Sequence, residues 1–429
     1  MFNRLRAGPI TVALLGAGNR GADVYADYIL RHPKEALLVA AADPNRERLE
    51  QLRLRHNLKK KQLYGDWRKL LAQPKLADLL IIATPDQVHV DPALAGLDKG
   101  YHLLLEKPIA PSEEELERLV AATRNAATTV TVAHVLRYTP FFRTIKDLLL
   151  EGRLGRLVGV DHLENIGYWH FAHSYVRGNW RNMEVGSPLI LAKSCHDLDI
   201  LRWLIDVPCR RLSSFGDLTY FRPDNAPPGA ASRCLDCPVE RDCAYSAVRY
   251  YVETCRDVHG WPVSVVTSDT SLEGRIEALR DGPYGRCVYA SDNDVVDHQV
   301  VSMEFAGGVT ATLTVCAFTG ENTRTVKLMG SRGELRGHLD KGEIELRDFL
   351  TGQETLVHVP TGGGHAGGDA AMMEELLKHL QALRKDGSVA GGMSTALESS
   401  LESHFLAFAA ERSRLEGRLV DLGGDSVTK

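Results

Sequence analysis

The stretch Ile10-Thr11-Val12-Ala13-Leu14-Leu15-Gly16-Ala17-Gly18-Asn19-Arg20-Gly21 decides the fold. Its first six residues read as a short buried strand that opens directly into a G-x-G-x-x-G loop, and Ala22 to Arg31 then read as a helix. Gly16 permits the tight turn, Gly18 lets backbone approach a pyrophosphate, and Gly21 lets helix and strand pack closely. Asn19 and Arg20 stand on the same loop, where the helix N-terminus faces the phosphates. A second apolar run, Leu37 to Ala42, ends in Asp43, at about the 20-residue separation that ribose recognition requires. A carboxylate there repels a 2′-phosphate and favours NAD over NADP, with Arg46 and Arg48 close enough to argue the other way. The rival reading of Asp43 is a cap for a helix that starts at Pro44.

Outward from this loop the alternation continues. Ala77 to Ala83 reads as a buried parallel strand, Gln87 to Lys99 as a helix and Tyr101 to Leu105 as a strand. Ser112 opens a further helix, with Glu115 completing a capping box, and Thr129 to Ala133 is another strand. The fold class is therefore α/β, with a doubly wound Rossmann domain over residues 1–135. From about Leu157 the period changes to strand-like runs at Leu157 to Glu164, Arg211 to Phe221, Val295 to Phe305, Val309 to Phe318 and Thr325 to Met329. Ala306-Gly307-Gly308 between two of them is a hairpin signal. Residues 136–429 read as a C-terminal α+β domain with a large open, mainly antiparallel sheet and a cysteine-containing insertion near 222–290.

Bulk properties bound the function. A 429-residue chain is long enough for two domains, and 44% hydrophobic with 25% charged residues is a globular composition. Lys plus Arg (51) against Asp plus Glu (56) leaves a formal charge of −5, no footprint for nucleic acid or an anionic membrane. The longest apolar runs are strand-sized, not membrane spans. Arg4 and Arg6 before an apolar run imitate an export leader, but the run leads straight into the glycine motif and is better read as the first strand. Eight Cys in a chain of this length do not make a disulfide scaffold, so a reducing cytoplasm is the expected setting.

Three further motifs occur in order: Thr84-Pro85-Asp86-Gln87-Val88-His89, then Glu106-Lys107-Pro108, then His196-Asp197-Leu198-Asp199-Ile200-Leu201-Arg202-Trp203-Leu204. With the glycine loop, this set resembles the Gfo/Idh/MocA oxidoreductases. The resemblance implies NAD(P) at the carboxyl edge of the first sheet, sugar-like substrates, and a homodimer or homotetramer. It also brings Thr84, Pro85, His89, Glu106 and Lys107 to the cofactor and puts Lys107 at the substrate hydroxyl. Relatives that act as simple dehydrogenases commonly carry an Asp four residues before the histidine. Here that place is Ala192, with Lys193 three residues before His196. The departure leaves His196 as acid/base, its ordinary pKa suiting proton exchange near neutrality, and Lys193 as a hydroxyl clamp.

Gly167 to Arg181 mixes aromatic rings with His, Arg and Asn at no fixed period, as a carbohydrate platform would. Tyr168, His170, Trp180 and Arg181 are its expected substrate contacts, joined by His134 and Arg137 just past the Thr129 to Ala133 strand. His365, on the glycine-rich run 362–368, can close over the substrate, while Asp369 reads as the cap of the following helix.

Cys234, Cys237 and Cys243 give C-x-x-C with a third cysteine at short range, which favours a structural zinc over disulfides. Cys287 is the fourth ligand of choice, with Cys255 and His259 as alternatives. An iron–sulfur cluster would use the same ligands, and unligated thiols are the plain alternative. Cys195, Cys209 and Cys316 read as small buried residues. Three functions fit: an NAD-dependent dehydrogenase acting on a secondary hydroxyl of a sugar, cyclitol or glycoside; a redox glycosidase that oxidises, eliminates and re-reduces without net NADH; and a non-catalytic NAD- or sugar-binding regulator.

Overall fold

The computed structural model describes residues 8–124, 126–387 and 392–423. Six strands form the first sheet: β1 (Ile10–Leu15), β2 (Ala36–Ala42), β3 (Leu63–Tyr64), β4 (Leu79–Ile82), β5 (His102–Leu105) and β6 (Val130–Val132). All pair in parallel in the order β3-β2-β1-β4-β5-β6. Helices cover both faces, which is why Val12, Ala13, Leu14 and Leu15 are all buried and the strand shows no polar alternation. The chain turns from β1 to β2 on one side and reaches β4 on the other, so a crevice opens at the carboxyl ends of β1 and β4. The helix after the glycine loop starts earlier than Ala22: a wide π-type turn runs Asn19–Ala26 and α-helix follows at Asp27–Arg31.

The second sheet has nine strands: β7 (Leu157–Gly167), β8 (Cys209–Asp217), β9 (His298–Phe305), β10 (Thr310–Thr319), β11 (Thr323–Gly330), β12 (Gly333–His338), β13 (Glu343–Asp348), β14 (Glu354–His358) and β15 (Val420–Asp421). Their order is β14-β13-β12-β11-β7-β10-β9-β8-β15, antiparallel except for β7 beside β10. The β9–β10 hairpin turns at Ala306–Gly308, where Gly307 and Gly308 adopt φ of +78° and +81°. Strands β12 to β14 had no place in the sequence reading. Only Gly333, Leu335, Gly337, Ile344 and Leu346 of β12 and β13 are buried, a sparse apolar set among charges.

Helices Pro140–Leu150, Cys195–Ile205 and Leu397–Glu416 back this sheet, and the last also reaches the first domain. Helix Gly368–Asp386 crosses back entirely. Its Met372, Met373, Leu376, Leu377 and Leu380 share a core with Val12, Leu14, Tyr25 and Ile29. Between β8 and β9 lies the cysteine-containing insertion, with a small core of Cys234, Ala247, Tyr251, Leu279 and Tyr284. Arg275 is 0% exposed there, and its guanidinium donates to the carbonyls of Tyr251, Cys255, Val258 and Thr270. Among the described residues no helix is long and apolar enough to cross a membrane.

Arg137 is a correction to the sequence reading. It is 4% exposed, forks onto Asp199 at 2.7 and 2.5 Å, and donates to the carbonyls of Ser394 and Ser399. It therefore ties three segments together, and its fork is spent on protein partners. Removing one member of a buried pair strands the other's charge. Arg137→Ala is expected to lower stability by about 3–5 kcal/mol in urea unfolding. An unchanged unfolding midpoint with weakened substrate binding would restore the substrate role.

Candidate active site

The glycine loop is shaped by contacts that leave no room for side chains. A Cβ on Gly16, which has φ +89°, would lie 2.3 Å from the Ala83 carbonyl oxygen, and one on Gly21 would lie 1.9 Å from that of Gly16. A Cβ on Gly18 would meet nothing nearer than the Arg48 guanidinium, at 3.8 Å, because this glycine faces an open groove. The groove, of about 480 Å³, also borders Asn19, Arg48 and Arg55. Asp43 accepts the Ala17 amide at 2.6 Å and the Asn45 amide at 2.7 Å. The helix it was set to cap starts at Arg46 with Asn45 as its cap, so the capping reading of Asp43 fails. These features fit a dinucleotide whose diphosphate lies against Gly18. Thr84 borders the Gly16 turn, for the missing Cβ of Gly16 also faces the Thr84 amide.

Three expected cofactor residues serve the protein instead. Arg20 donates from Nε to Glu106, from Nη2 to the Tyr25 hydroxyl, and from both terminal nitrogens to Asp369 at 2.9 and 3.1 Å. That leaves little of its fork for a phosphate. Glu106 is 5% exposed and also accepts the Lys107 amide at 3.0 Å. Burial pushes its carboxyl up, but Arg20 and the Tyr25 hydroxyl hold it below the ordinary carboxylate range. His89, 1% exposed, bridges the carbonyls of Pro108 (2.6 Å) and Thr84 (2.8 Å), fastening two motif loops together. Asp369 is no cap either: Gly367 holds that position, and Asp369 grips Arg20 and His365.

Lys107 follows β5, and its ammonium donates to the Ala192 carbonyl at 2.6 Å while lying 5.9 Å from the Trp180 ring centre. His196, at the start of helix Cys195–Ile205, is 4% exposed, and its Nδ1 has no hydrogen-bond partner. Burial drives its pKa well below the usual imidazole value, with the charge of Lys107 acting in the same direction. The His365 ring lies 5.8 Å from it, on backbone with φ +47°, anchored to Asp369 at 3.0 Å. Lys193 pairs with Glu164 at 3.1 Å, and burial lowers its pKa. Arg324 spans Glu164 (2.8 Å) and Asp197 (2.7 Å), and Asp197 also meets His162 at 2.9 Å. Burial holds the Glu164 carboxyl above its ordinary value despite both cations, whereas Asp197 is held well below.

Of the expected substrate residues, Trp180 lies beside Lys107, with its indole N–H on Asp86 at 3.2 Å. His170 meets Asn322 at 2.7 Å and the Trp261 ring at 5.2 Å, and Tyr168 packs on Tyr245 of the insertion. Two others are corrected. His134 is 0% exposed and sits between the rings of His196 and His404, so it backs the site without facing it. Arg181 is taken by Asp292 at 2.9 Å. Glu164, Arg324, Asn322 and Trp261 were missed. The available signal for Glu164 was a carboxylate in phase with the buried positions His162 and Ile166.

The four cysteines expected to bind metal line one cavity of about 20 Å³, which Cys255 and His259 do not border. Among the described residues no group of three or more His, Cys, Asp or Glu stands in a metal-holding arrangement. The thiols are gathered, but not as a closed ligand set.

Residues 10–134 match the family model of an oxidoreductase family with an NAD-binding Rossmann fold, and residues 142–336 match its GFO/IDH/MocA C-terminal domain. The Bacillus subtilis protein YteT, which carries an oxidoreductase name without a stated substrate, is 24% identical over 78% of this chain and 80% of its own. Inositol 2-dehydrogenase 4 of Saccharopolyspora erythraea is 30% identical over 46% of this chain and 54% of its own. A solved levoglucosan dehydrogenase in complex with NADH superposes with a TM-score of 0.70 at 16% identity, covering 96% of this chain and 99% of that one. The two family models together span well over half of the sequence, and the chain belongs to the Gfo/Idh/MocA family of NAD-binding oxidoreductases.

Proposed function

We propose that this protein oxidises a secondary hydroxyl of a sugar, cyclitol or glycoside with NAD, using Lys107 to polarise the hydroxyl and His196 to take its proton. The observation that supports the reading is the Lys107 ammonium on the Ala192 carbonyl, four residues before His196, near enough for its charge to lower the His196 pKa. Bound in that groove, NAD supplies the acceptor for the carbon-bound hydrogen. Lys107 spends one N–H on the Ala192 carbonyl and keeps two to hold a developing alkoxide. His196, kept neutral, accepts the hydroxyl proton. Lys193, steadied by Glu164, clamps a neighbouring hydroxyl, and Trp180, His170 and Tyr168 offer ring faces. His365 closes the near side. The names of the relatives, inositol and levoglucosan dehydrogenases, support a polyol or anhydrosugar.

Ala192 favours a second reading. With no carboxylate beside His196 to draw protons out to solvent, a cycle that oxidises, eliminates an aglycone and re-reduces suits the site, because it needs no net proton export. The regulator is the third outcome. The open face of the second sheet exposes Val158, Phe215, Phe318 and Leu356, which fits pairing with a second copy. Light scattering after gel filtration is expected to give a dimer or tetramer, and a monomer would remove that assignment.

The decisive assay offers NAD with free polyols, cyclitols and aryl glycosides, following NADH and aglycone together. NADH accumulating from an unglycosylated polyol establishes the dehydrogenase; aglycone release without net NADH establishes the redox glycosidase. In either case Lys107→Ala is expected to lower kcat/KM by about 10²–10⁴-fold. Silence in both channels despite NAD binding leaves the regulator.

The pH profile tests His196 separately. The base must be deprotonated, and its proton affinity lies below the ordinary 6.5, so the neutral form persists as pH falls. The acidic limb of kcat/KM is expected below pH 6.5. A limb above that value, unmoved in His196→Asn, would eliminate His196 as the base.

A further inference from the structure

We infer that Cys234, Cys237, Cys243 and Cys287 bind one tetrahedral metal ion, zinc by ligand chemistry, and that this ion clasps the insertion over the cofactor groove. Four sulfurs around a cavity of about 20 Å³ leave room for one ion-sized occupant. Two of the ligands form a C-x-x-C turn, and Cys287 comes from the far end of the insertion, so closure pins a long loop at both ends.

Two donors reach one of the sulfurs. The Ala247 amide and the Arg177 guanidinium both donate to the Cys234 sulfur at 3.5 Å. Arg177 is the independent observation. It is 3% exposed, its other donors go to the carbonyls of Tyr245 and Arg286, and among the described residues no carboxylate forms an ion pair with it. Glu240, the carboxylate on the cavity wall, accepts from the Ser246 hydroxyl and forms no ion pair with Arg177. A buried guanidinium without a counter-charge is costly. Four neutral thiols supply none. Four thiolates around a divalent ion carry a charge of −2, against which Arg177 is a partial counter-ion. Soft thiolates exclude the hard cations, and the single-ion cavity disfavours a cluster. The thiols line the cavity without standing in a metal-holding arrangement, so binding requires the sulfurs to move.

The second half of the inference rests on the NAD reading of the groove. His259, Ser264, Val266, Ser268 and Thr270 of the insertion wall that groove opposite Gly18 and Arg48. Cys234 shares its core with Tyr251 and Leu279, and Arg275 joins the carbonyls of Tyr251, Cys255, Val258 and Thr270 into one unit. Tightening at the sulfurs therefore reaches the groove wall through packed structure.

The test uses the full chain purified without chelators. Elemental analysis is expected to give one zinc per chain, and replacement by Co²⁺ to give the visible bands of tetrahedral cobalt thiolate. Cys237→Ser and Cys243→Ser are each expected to lose the metal. Cys209→Ser, outside the cavity, is expected to keep it, which separates ligand loss from misfolding. Metal-stripped protein is expected to bind NAD at least about tenfold more weakly by calorimetry, with recovery on adding Zn²⁺. Absence of stoichiometric metal overturns the site, as do retention of metal in both ligand variants and fewer than eight free thiols in the denatured, metal-free chain. Iron–sulfur absorption overturns zinc. Unchanged NAD affinity after stripping overturns the clasp alone. No NAD binding in either form sinks the groove reading and leaves the metal result standing.

Discussion

A single buried carboxylate, Glu106, holds the parts of this site in register. It receives Arg20 from the glycine loop, the Tyr25 hydroxyl from the helix behind that loop, and the amide of Lys107 on its own segment. The cofactor loop and the lysine expected to touch substrate are thus referenced to one pair of oxygens. Arg20 carries the linkage on to Asp369 and from there to His365, which faces His196. At low dielectric such a chain is expensive if any member is missing, so its members are either all in place or the arrangement is lost. That is how residues from four distant parts of the sequence keep ångström-scale positions.

A second polar network lies under the floor of the site. Lys193, Glu164, Arg324, Asp197 and His162 bring two acids and three basic side chains together from β7, β11, the helix Cys195–Ile205 and the segment just before it. Burying these charges is a weak source of stability, and its better-attested use is to fix one arrangement among several apolar alternatives. Here it fixes where Lys193 stands, against Glu164, which the neighbouring Arg324 also holds.

Residues whose meaning is local were legible in the sequence. Gly16, Gly18 and Gly21 follow from strand, loop and helix order, and Lys107 follows from its motif at a strand end. Arg20 was misread as a phosphate ligand because its true partner, Asp369, lies 349 residues away. Arg137 and Arg181 failed in the same way: a solitary arginine near a motif looks like a ligand until Asp199 or Asp292 is brought to it by the fold. Glu164 was missed although it stands in phase with the buried His162 and Ile166, because a charged residue on a strand reads as exposed. Strands β12 to β14 were hidden by their charges, since an edge region buries one thin row of side chains. Cys287, and not Cys255 or His259, lines one cavity with Cys234, Cys237 and Cys243.

The helix Gly368–Asp386 carries a consequence for biosynthesis. Five of its apolar side chains fill the core on one face of the first sheet, against residues that leave the ribosome near the start of translation. Until that helix emerges, Val12, Leu14 and Ile29 lack their lid, and the N-terminal domain waits as an open sandwich with an apolar face. Nascent chains of this protein therefore expose a sticky surface for most of their synthesis. Excising the cofactor domain at its sequence boundary would make that temporary exposure permanent.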